Sequence, residues 1–339
     1  MLSNFKMKHI SQEDIAQELG IAVSSVSRAL TGKPGVSAAL RERIRAMAQE
    51  HNYRPNPFAK SLRFDTPSII GVIVPDIATH FFSSILKSIE STAQQNGFFS
   101  VVMTSNECRE DEQRAISNLL NLHVEGMLVC LSQETQDCSH LETLVNEHIP
   151  LVLYDRVSSG PAFSTVTIDD ANSARDATSY MIERGARRVA FIGGPNHLNI
   201  VANRKHGYIE ALHDHHLTVD PQLVACHEID YNTGLIDTLD LLDLPTPPDA
   251  ILCMNDTLAF AAMEAIKSHG LRIPEDIQLI GYTDERHAKY VEPKLTAVRH
   301  NTTMIGKRAC ELLLDQINGN FQPQHVIVGT HLEIRGSTK

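Results

Sequence analysis

The stretch GIAVSSVSRALTGKPGVS, from Gly20 to Ser37, contains a short serine-rich segment between two breaks. Within Val23–Leu30, Val26 and Leu30 are four residues apart, which predicts the buried side of a helix. The Gly/Pro run Gly32–Gly35 predicts the end of that helix. Three serines and an arginine on so short a helix are poorly suited to a core, and they suit a groove of DNA.

Two further helices are predicted around this segment. Ser11 and Asp14 have the spacing of a capping box, which predicts a helix that begins after Ser11. Ser37 is placed to cap a third helix, from Ala38 to about His51. Three short helices with a tight break are typical of a helix-turn-helix, whose second helix enters the major groove. The alternative is a small helical cap whose serines are only solvated.

The outer face of the second helix carries the candidate base readers. Arg28 can donate two hydrogen bonds to guanine, Val23 can contact a thymine methyl group, and Ser24 can bond to either kind of base edge. Ser25 and Ser27 are predicted to contact phosphate, which positions a protein without specifying sequence.

The charge distribution favours DNA as the partner of the head. The chain has a net charge of −11, but residues 1–63 contain ten Lys/Arg and five Asp/Glu, which gives +5. The remaining residues contain twenty Lys/Arg and thirty-six Asp/Glu, which gives −16. A basic head on an acidic body is therefore predicted.

The segment after the head has the composition of a short DNA-dependent helix. Asn56 is a good N-cap and Pro57 a good first helical residue, but one or two turns are too short to be stable alone. Leu62 lies between Lys60 and Arg63, which is the composition of a minor-groove wedge. An ordinary packing residue in a linker is an equal alternative for Leu62.

Beyond Thr66 the chain alternates apolar strands with amphipathic helices, in two successive series. This alternation predicts parallel sheets with helices on both faces, and two series predict two lobes. Ligands in such folds bind at the carboxyl ends of strands, so the cleft between the lobes is the expected site. We expect one lobe at about 67–162 and 295–324 and the other at about 163–292 and 325–339.

Polar and aromatic residues follow several of these strands. Asp155 and Arg156 follow one strand, Asn255 another, and Thr283 a third. Phe81 and Phe82 follow the loop after the first strand, and Arg204 begins a helix. Carboxylate, guanidinium, amide and aromatic groups together suit a polar ring such as a sugar. Taken singly, each could instead cap a helix, pair with a nearby charge or belong to the core.

The sequence lacks the signals of several other classes of protein. The longest apolar run, Ile69–Val74, is far shorter than a spanning helix requires, and residues 1–12 contain no apolar region of a signal peptide. The six cysteines are scattered, which is typical of free thiols in a reducing cytoplasm. No dinucleotide, P-loop, zinc-protease or hydrolase motif is present. We therefore expect no enzyme, no cofactor, no metal, no membrane and a cytoplasmic location.

The chain resembles the lactose-repressor/galactose-repressor (LacI/GalR) family. The resemblance is carried by "DIAQELGIAVSSVSRALTGKPGVS", "RERI" and "NYRPNPFAKSLR" between Ile10 and Arg63. It continues through "IIGVIVPDI", "VAFIGG", "MNDTLAF", "RIPEDIQLIGY" and "PKLTAVRHNTTMIG", over nearly the whole chain.

The resemblance implies an all-α three-helix head with a hinge helix, joined to a two-lobed α/β core like that of periplasmic binding proteins, with parallel sheets. The expected domains are 1–55 for DNA binding, 56–66 for the hinge and 67–339 for effector binding. The expected DNA-binding residues are Val23, Ser24, Ser25, Ser27, Arg28, Tyr53, Asn56, Lys60, Leu62 and Arg63. The expected effector-binding residues are Phe81, Phe82, Asp155, Arg204, Ile229, Asn255, Thr283 and His300.

Three positions depart from the family pattern. Ala22 stands where a serine usually caps the recognition helix, Thr283 where sugar-binding members commonly have aspartate, and Ile229 where an aromatic ring often stacks on the ligand. The resemblance implies a regulator, by default a repressor, that binds a pseudo-palindromic operator as a homodimer and responds to a sugar or sugar derivative. The alternatives are a solute-binding protein of a transport system and a regulator controlled by a protein corepressor.

Overall fold

The computed structural model describes residues 10–51, 53, 68–158 and 163–339. Contacts divide the chain into two units, Met1–Pro67 and Ser68–Lys339. The described part of the first unit is called the head and that of the second the core. No helix in these described ranges is both long and apolar enough to cross a membrane.

The head consists of three helices, α1 (Gln12–Leu19), α2 (Val23–Leu30) and α3 (Ala38–Glu50). The predicted capping box is present, because Ser11 Oγ accepts from the Asp14 N–H while the Asp14 carboxylate accepts from the Ser11 N–H. Ile15, Val26 and Ile44 are fully buried and form the centre of the head. The three predicted helices are therefore confirmed.

The first lobe of the core is built on a parallel six-stranded sheet in the order β11-β5-β4-β3-β1-β2. The strands are β1 (Ser68–Val74), β2 (Phe98–Thr104), β3 (Gly126–Val129), β4 (Leu151–Tyr154), β5 (Ser164–Ile168) and β11 (His325–Val328). Its helices are α4 (His80–Gln95), α5 (Arg109–Asn121), α6 (Ser139–Asn146) and α11 (Thr302–Ile317).

The second lobe has a six-stranded sheet in the order β12-β10-β9-β8-β6-β7. The strands are β6 (Val189–Gly193), β7 (Val224–Cys226), β8 (Ala250–Cys253), β9 (Gln278–Thr283), β10 (Thr296–His300) and β12 (Thr330–Glu333). Only the pairing of β12 with β10 is antiparallel among these strands. The helices are α7 (Asp170–Glu183), α8 (Asn199–Asp214), α9 (Tyr231–Leu242) and α10 (Asp256–Ser268), with 3₁₀ turns at Pro221–Leu223 and Arg286–Lys289.

The lobe boundaries predicted from the sequence are wrong for three strands. β5 and β11 belong to the first sheet, and β10 belongs to the second. The chain crosses between the lobes at Asp169, at Asn301 and at Gly329, each a single residue between two elements. The sequence did not show these crossings because the apolar pattern of a short strand does not indicate which of the two sheets it joins.

Candidate functional sites

The exposed face of α2 carries part of the predicted base-reading set. Ser24 and Arg28 are exposed, whereas Ser25 and Ser27 are half-buried. Val23 is also half-buried and packs against the centre of the head, so it is less outward than the sequence predicts. α2 begins after Ala22, which supplies no side-chain cap. Arg28 and Ser24 are therefore the most accessible candidates on this helix.

The carboxyl end of α2 is held by Arg41 of α3, a residue that sequence reasoning missed. The Arg41 guanidinium donates to the carbonyl oxygens of Lys33 at 2.8 Å, Ala29 at 3.2 Å and Arg28 at 3.4 Å. A cation near helix C-terminal carbonyls satisfies groups that the helix cannot pair itself. Arg41 thus fixes the end of α2 that carries Arg28.

Gly35 leaves room for the Arg28 side chain. Its φ is +99°, and a β-carbon there would lie 3.3 Å from Arg28 Nη1. Glycine is therefore required for the backbone conformation, and its missing side chain also lets the guanidinium lie close to the turn.

The remaining predicted DNA-binding residues follow the head. Tyr53 is half-buried against the centre of the head, and its N–H donates to the Ala48 carbonyl at 2.7 Å. Asn56, Lys60, Leu62 and Arg63 lie outside the described residues, so the hinge helix and the wedge stay predictions.

A cavity of about 290 Å³ lies between the two lobes of the core. Seven of the eight predicted effector residues line it: Phe81, Phe82, Asp155, Arg204, Ile229, Asn255 and Thr283. They come from α4, α8 and the carboxyl ends of β4, β7, β8 and β9, which is where ligands of such folds are expected.

His300 does not line this cavity. It is 4% exposed and packs edge-on against the rings of Phe81 and Tyr282, with centroid distances of 5.4 and 6.0 Å. Neither ring nitrogen has a hydrogen-bond partner. Burial, together with the positive charge of Arg204, lowers the pKa of His300 well below its usual range. His300 is a neutral support behind Phe81 in this structure.

The Asp155 carboxyl is buried at the cavity wall. The residue is 8% exposed and has φ +60°, an uncommon backbone conformation that recurs at functional sites. Burial raises its pKa, although Arg156 and Arg204 act in the opposite direction. The next residue, Arg156, donates to Glu107 Oε2 at 2.6 Å and is therefore already paired.

Arg204 is held by several groups at once. It is 2% exposed, and its Nε donates to Asp170 Oδ1 at 2.7 Å while Nη1 donates to the Met254 carbonyl. Its guanidinium carbon lies 4.3 Å from the centre of the Tyr282 ring. These contacts fix the guanidinium at the cavity.

Asn255 and Thr283 line the cavity and also form hydrogen bonds with other residues of the second lobe. Asn255 caps α10, because its Oδ1 accepts from the Leu258 N–H at 2.9 Å. Thr283 has φ +93°, which is strained for a β-branched residue. Its hydroxyl donates to Asp256 Oδ2 at 3.4 Å. Burial raises the pKa of the Asp256 carboxyl well above its usual range.

The loop after β3 bridges the lobes through Gln133. Its side-chain oxygen accepts from the Ile229 N–H at 3.1 Å, and its carbonyl accepts from His197 Nε2 at 2.6 Å. Its own N–H donates to Glu107 Oε2 at 2.8 Å. Since Glu107 also pairs with Arg156, this Gln133 bridge connects the cavity wall of the first lobe to the second lobe.

Several cavity residues were absent from the sequence-based set. They include Asp76, Glu107, Asp230, Tyr231 and Glu285. Tyr231 supplies an aromatic side chain two residues from Ile229, where the family pattern suggested one. The sequence offered a signal for Asp76 and Glu285, which lie two residues after the ends of β1 and β9. Within the described ranges, no group of three His, Cys, Asp or Glu side chains could hold a metal ion.

Comparisons with known proteins agree with this architecture. Residues 12–56 match the family described as bacterial regulatory proteins, lacI family, and residues 178–338 match the periplasmic binding protein-like domain. The HTH-type transcriptional repressor CytR of Escherichia coli is 33% identical over 334 residues, covering 97% of this chain and 96% of CytR. The chain belongs to the LacI family. The repressor PurR of Vibrio atlanticus is 30% identical, covering 93% of this LacI-family chain and 94% of PurR.

Solved structures resemble this LacI-family chain over almost its full length. A lac repressor dimer bound to operator and an anti-inducer has a TM-score of 0.83 at 25% identity, covering 98% of this chain and 99% of that one. A transcriptional regulator CelR–cellobiose complex has a TM-score of 0.75 at 29% identity, covering 97% and 99%.

Proposed function

We propose that this protein is a ligand-responsive transcriptional repressor that binds a pseudo-palindromic operator as a homodimer. The observation that carries the proposal is the presence, in one chain, of a helix-turn-helix head with Arg28 exposed on α2 and a core with a polar cavity between two lobes. The similarity to CytR over 97% of the chain supports the same combination.

The cavity supports a small polar effector, a sugar or sugar derivative. Its volume suits one small ligand, and it combines carboxyl, guanidinium and amide groups with the rings of Phe81 and Phe82. Cellobiose is bound by the related CelR structure, which shows that this architecture accommodates carbohydrate. We infer that effector binding changes the relation of the lobes and thereby operator affinity, with a coupling of about 1–3 kcal/mol.

The DNA-binding and hinge residues are part of this proposal. Ser24, Ser25, Ser27 and Arg28 of α2, with Val23 and Tyr53 at its edges, are proposed to contact DNA. Asn56, Lys60, Leu62 and Arg63 are proposed to form the operator-dependent hinge. We further propose that the protein acts in the cytoplasm, without catalysis, cofactor or metal, since its named relatives are transcriptional repressors. A solute-binding protein would have no use for the helix-turn-helix head.

Electrophoretic mobility shift of fragments from the source genome tests this function. The purified full chain is expected to retain one or a few fragments at low ionic strength, with an affinity that falls linearly on a logarithmic salt scale. A matched sample with excess non-specific DNA separates sequence-specific retention from general attraction. If no fragment is retained at low salt, with or without metabolites, the proposed function is wrong.

A further inference from the structure

The charge of the interlobe cavity is strongly unbalanced. Five carboxyl side chains line it, from Asp76, Glu107, Asp155, Asp230 and Glu285, against the two guanidinium groups of Arg156 and Arg204. Its formal lining charge is therefore −3 when all of these groups are ionised. Both arginines are also already paired, Arg156 with Glu107 and Arg204 with Asp170.

Most of the carboxyl groups have partners of their own. Asp230 accepts from two backbone N–H groups at the start of α9 and from the Thr233 hydroxyl. Asp76 accepts from the Ala78 N–H at 2.8 Å. Glu285 lies near His80, His287 and the backbone of Phe81, and each of these lowers its pKa, which burial raises. These groups are accommodated without a ligand.

Asp155 differs from them. It is more than nine-tenths buried, it lines the cavity, and its carboxylate accepts one hydrogen bond from the described residues, from the Cys130 thiol at 3.9 Å. A thiol is a weak donor, and the nearby guanidinium groups of Arg156 and Arg204 donate to other carboxylates, so the Asp155 carboxylate lacks the hydrogen-bond donors that a buried charge requires. A ligand group that brings positive charge would supply them.

We propose that the effector is a single polar ring that carries a protonated amine, with Asp155 as the counter-ion of that amine. The inference rests on the proposed function, which makes this cavity the effector site. A cavity of about 290 Å³ is small among ligand sites and suits one ring. A phosphate ester or a carboxylate would instead meet like charge in a partly buried site, where electrostatic interactions are weakly screened.

The aromatic lining is consistent with this charge preference. Phe81 and Phe82 pack edge to face with ring centroids 5.1 Å apart, and Tyr231 lies at the same cavity. The face of an aromatic ring attracts cations, so these side chains can contact an ammonium group as well as an apolar ring face.

Calorimetric titration of the full chain with matched sets of ligands tests the proposal. One set is glucosamine, glucose and glucose 6-phosphate, and a second is 5′-amino-5′-deoxyadenosine, adenosine and adenosine 5′-monophosphate. Where the ring of a set fits the cavity, the amine is expected to bind at least about tenfold more tightly than the neutral compound. The phosphate is expected to bind more weakly than either. Added salt is expected to weaken binding of the amine most.

Asp155→Asn identifies the counter-ion. In this variant the ratio of amine affinity to neutral-ligand affinity is expected to fall to about one. Asp240→Asn is the matched control, because Asp240 is an exposed acid of α9 that does not line the cavity. The control is expected to retain the full ratio. Circular dichroism spectra and melting temperatures establish that both variants are folded.

Three results would overturn the proposal. The first is that the phosphate binds most tightly in either set. The second is that the ratio of amine affinity to neutral-ligand affinity is unchanged in Asp155→Asn. The third is that no member binds at concentrations up to 10 mM, which corresponds to a binding free energy weaker than about 3 kcal/mol. Operator binding by the same preparations is measured separately. An active operator-binding protein with any of these results contradicts the amine proposal alone, whereas absent operator binding contradicts the proposed function.

Discussion

Arg28 is the residue of the head with the greatest capacity for sequence readout. It is exposed on α2, next to the turn at Gly35, and a guanidinium can bond to guanine through two donors. Arg28→Ala is expected to weaken preference at one base pair of each half-site by about 1–3 kcal/mol. Fluorescence anisotropy with the operator and with single-base variants of each half-site measures this change.

Arg43→Ala is the matched control for that substitution. Arg43 is exposed on α3, and its replacement removes the same charge without altering α2. Its loss is expected to affect the operator and its single-base variants equally. If Arg28→Ala also lowers affinity equally on all of these sequences, Arg28 contacts only phosphate.

His300 makes the stability of the core depend on pH. Its pKa is lowered in the folded state by burial, so the unfolded state binds the proton more readily. This contribution to stability is fully present above the unfolded pKa of about 6.5 and is lost as pH falls through it. At pH 5.5, one pH unit below that value, the core is expected to be less stable than at pH 7.5 by about 1 kcal/mol.

Thermal unfolding at pH 7.5 and 5.5 measures this dependence. His300→Phe keeps an aromatic ring between Phe81 and Tyr282, and it is expected to lose less stability on acidification than the unaltered protein. His213→Gln, at an exposed position of α8, is expected to behave like the unaltered protein. Equal acid sensitivity of all three proteins would show that His300 titrates normally.

At the residue scale, a place at the cavity could be predicted where a residue stands at the end of a strand, whereas the effector contacts of these residues stay predictions. Asp155, Asn255 and Thr283 follow strands, and all three line the cavity. His300 also stands at a strand end but lies behind Phe81 and does not line the cavity, because the direction of a side chain depends on tertiary packing. Glu107 and Arg41 escaped notice since their roles arise from contacts with distant segments.

The start of α2 lacks the side-chain cap that the starts of α1 and α3 have. Ala22 has the backbone conformation of an N-cap, with φ −72° and ψ 141°, but no side-chain oxygen to accept from the first N–H groups. Ala22→Ser is expected to stabilise the head by about 1 kcal/mol, the usual gain from a serine cap. Hydrogen exchange of the α2 amides in the full chain measures the gain.

Ala39→Ser is the matched control for that substitution. Ala39→Ser, an exposed change within the first turn of α3, adds a hydroxyl without a cap position and is expected to give no gain in α2. If the α2 amides of the Ala22→Ser protein exchange as fast as those of the unaltered protein, the end of α2 is already satisfied by solvent.

Helices and strands with clear caps or continuous apolar runs could be predicted from the sequence, whereas elements without such signals could not. The helices of the head agree with prediction because caps identify them. Continuous apolar runs at Ile69–Val74, Val189–Ile192 and Ala250–Cys253 predict strands, and β1, β6 and β8 agree with these. β7 has three half-buried residues and β12 pairs at an edge, so neither shows a clear apolar pattern. α9 was missed as well, although Asp230 caps it.

At the scale of the whole core, the Gln133 bridge links the two lobes. Gln133→Ala removes the acceptor of the Ile229 N–H but keeps the backbone bond to His197. One such hydrogen bond contributes about 1 kcal/mol, so local opening of the cleft is expected to become about fivefold more frequent. Hydrogen exchange at the Val157 amide, which donates to Asn199 Oδ1 of the second lobe at 2.9 Å, measures this opening by mass spectrometry.

Gln136→Ala is the control for that bridge. Gln136 is exposed in the same loop, and its replacement is expected to leave exchange at Val157 unchanged. Equal exchange at Val157 in Gln133→Ala and the unaltered protein would show that the Gln133 side chain does not restrain the cleft.

The three crossings between the lobes have a consequence for synthesis of the protein on the ribosome. The head consists of one continuous segment and can finish folding early. The first lobe cannot, since its sheet lacks β11 until residues 325–328 have been translated. A message cut short after residue 300 would thus encode the whole head, followed by a core whose two sheets lack β11 and β12 and therefore cannot form the effector cleft completely.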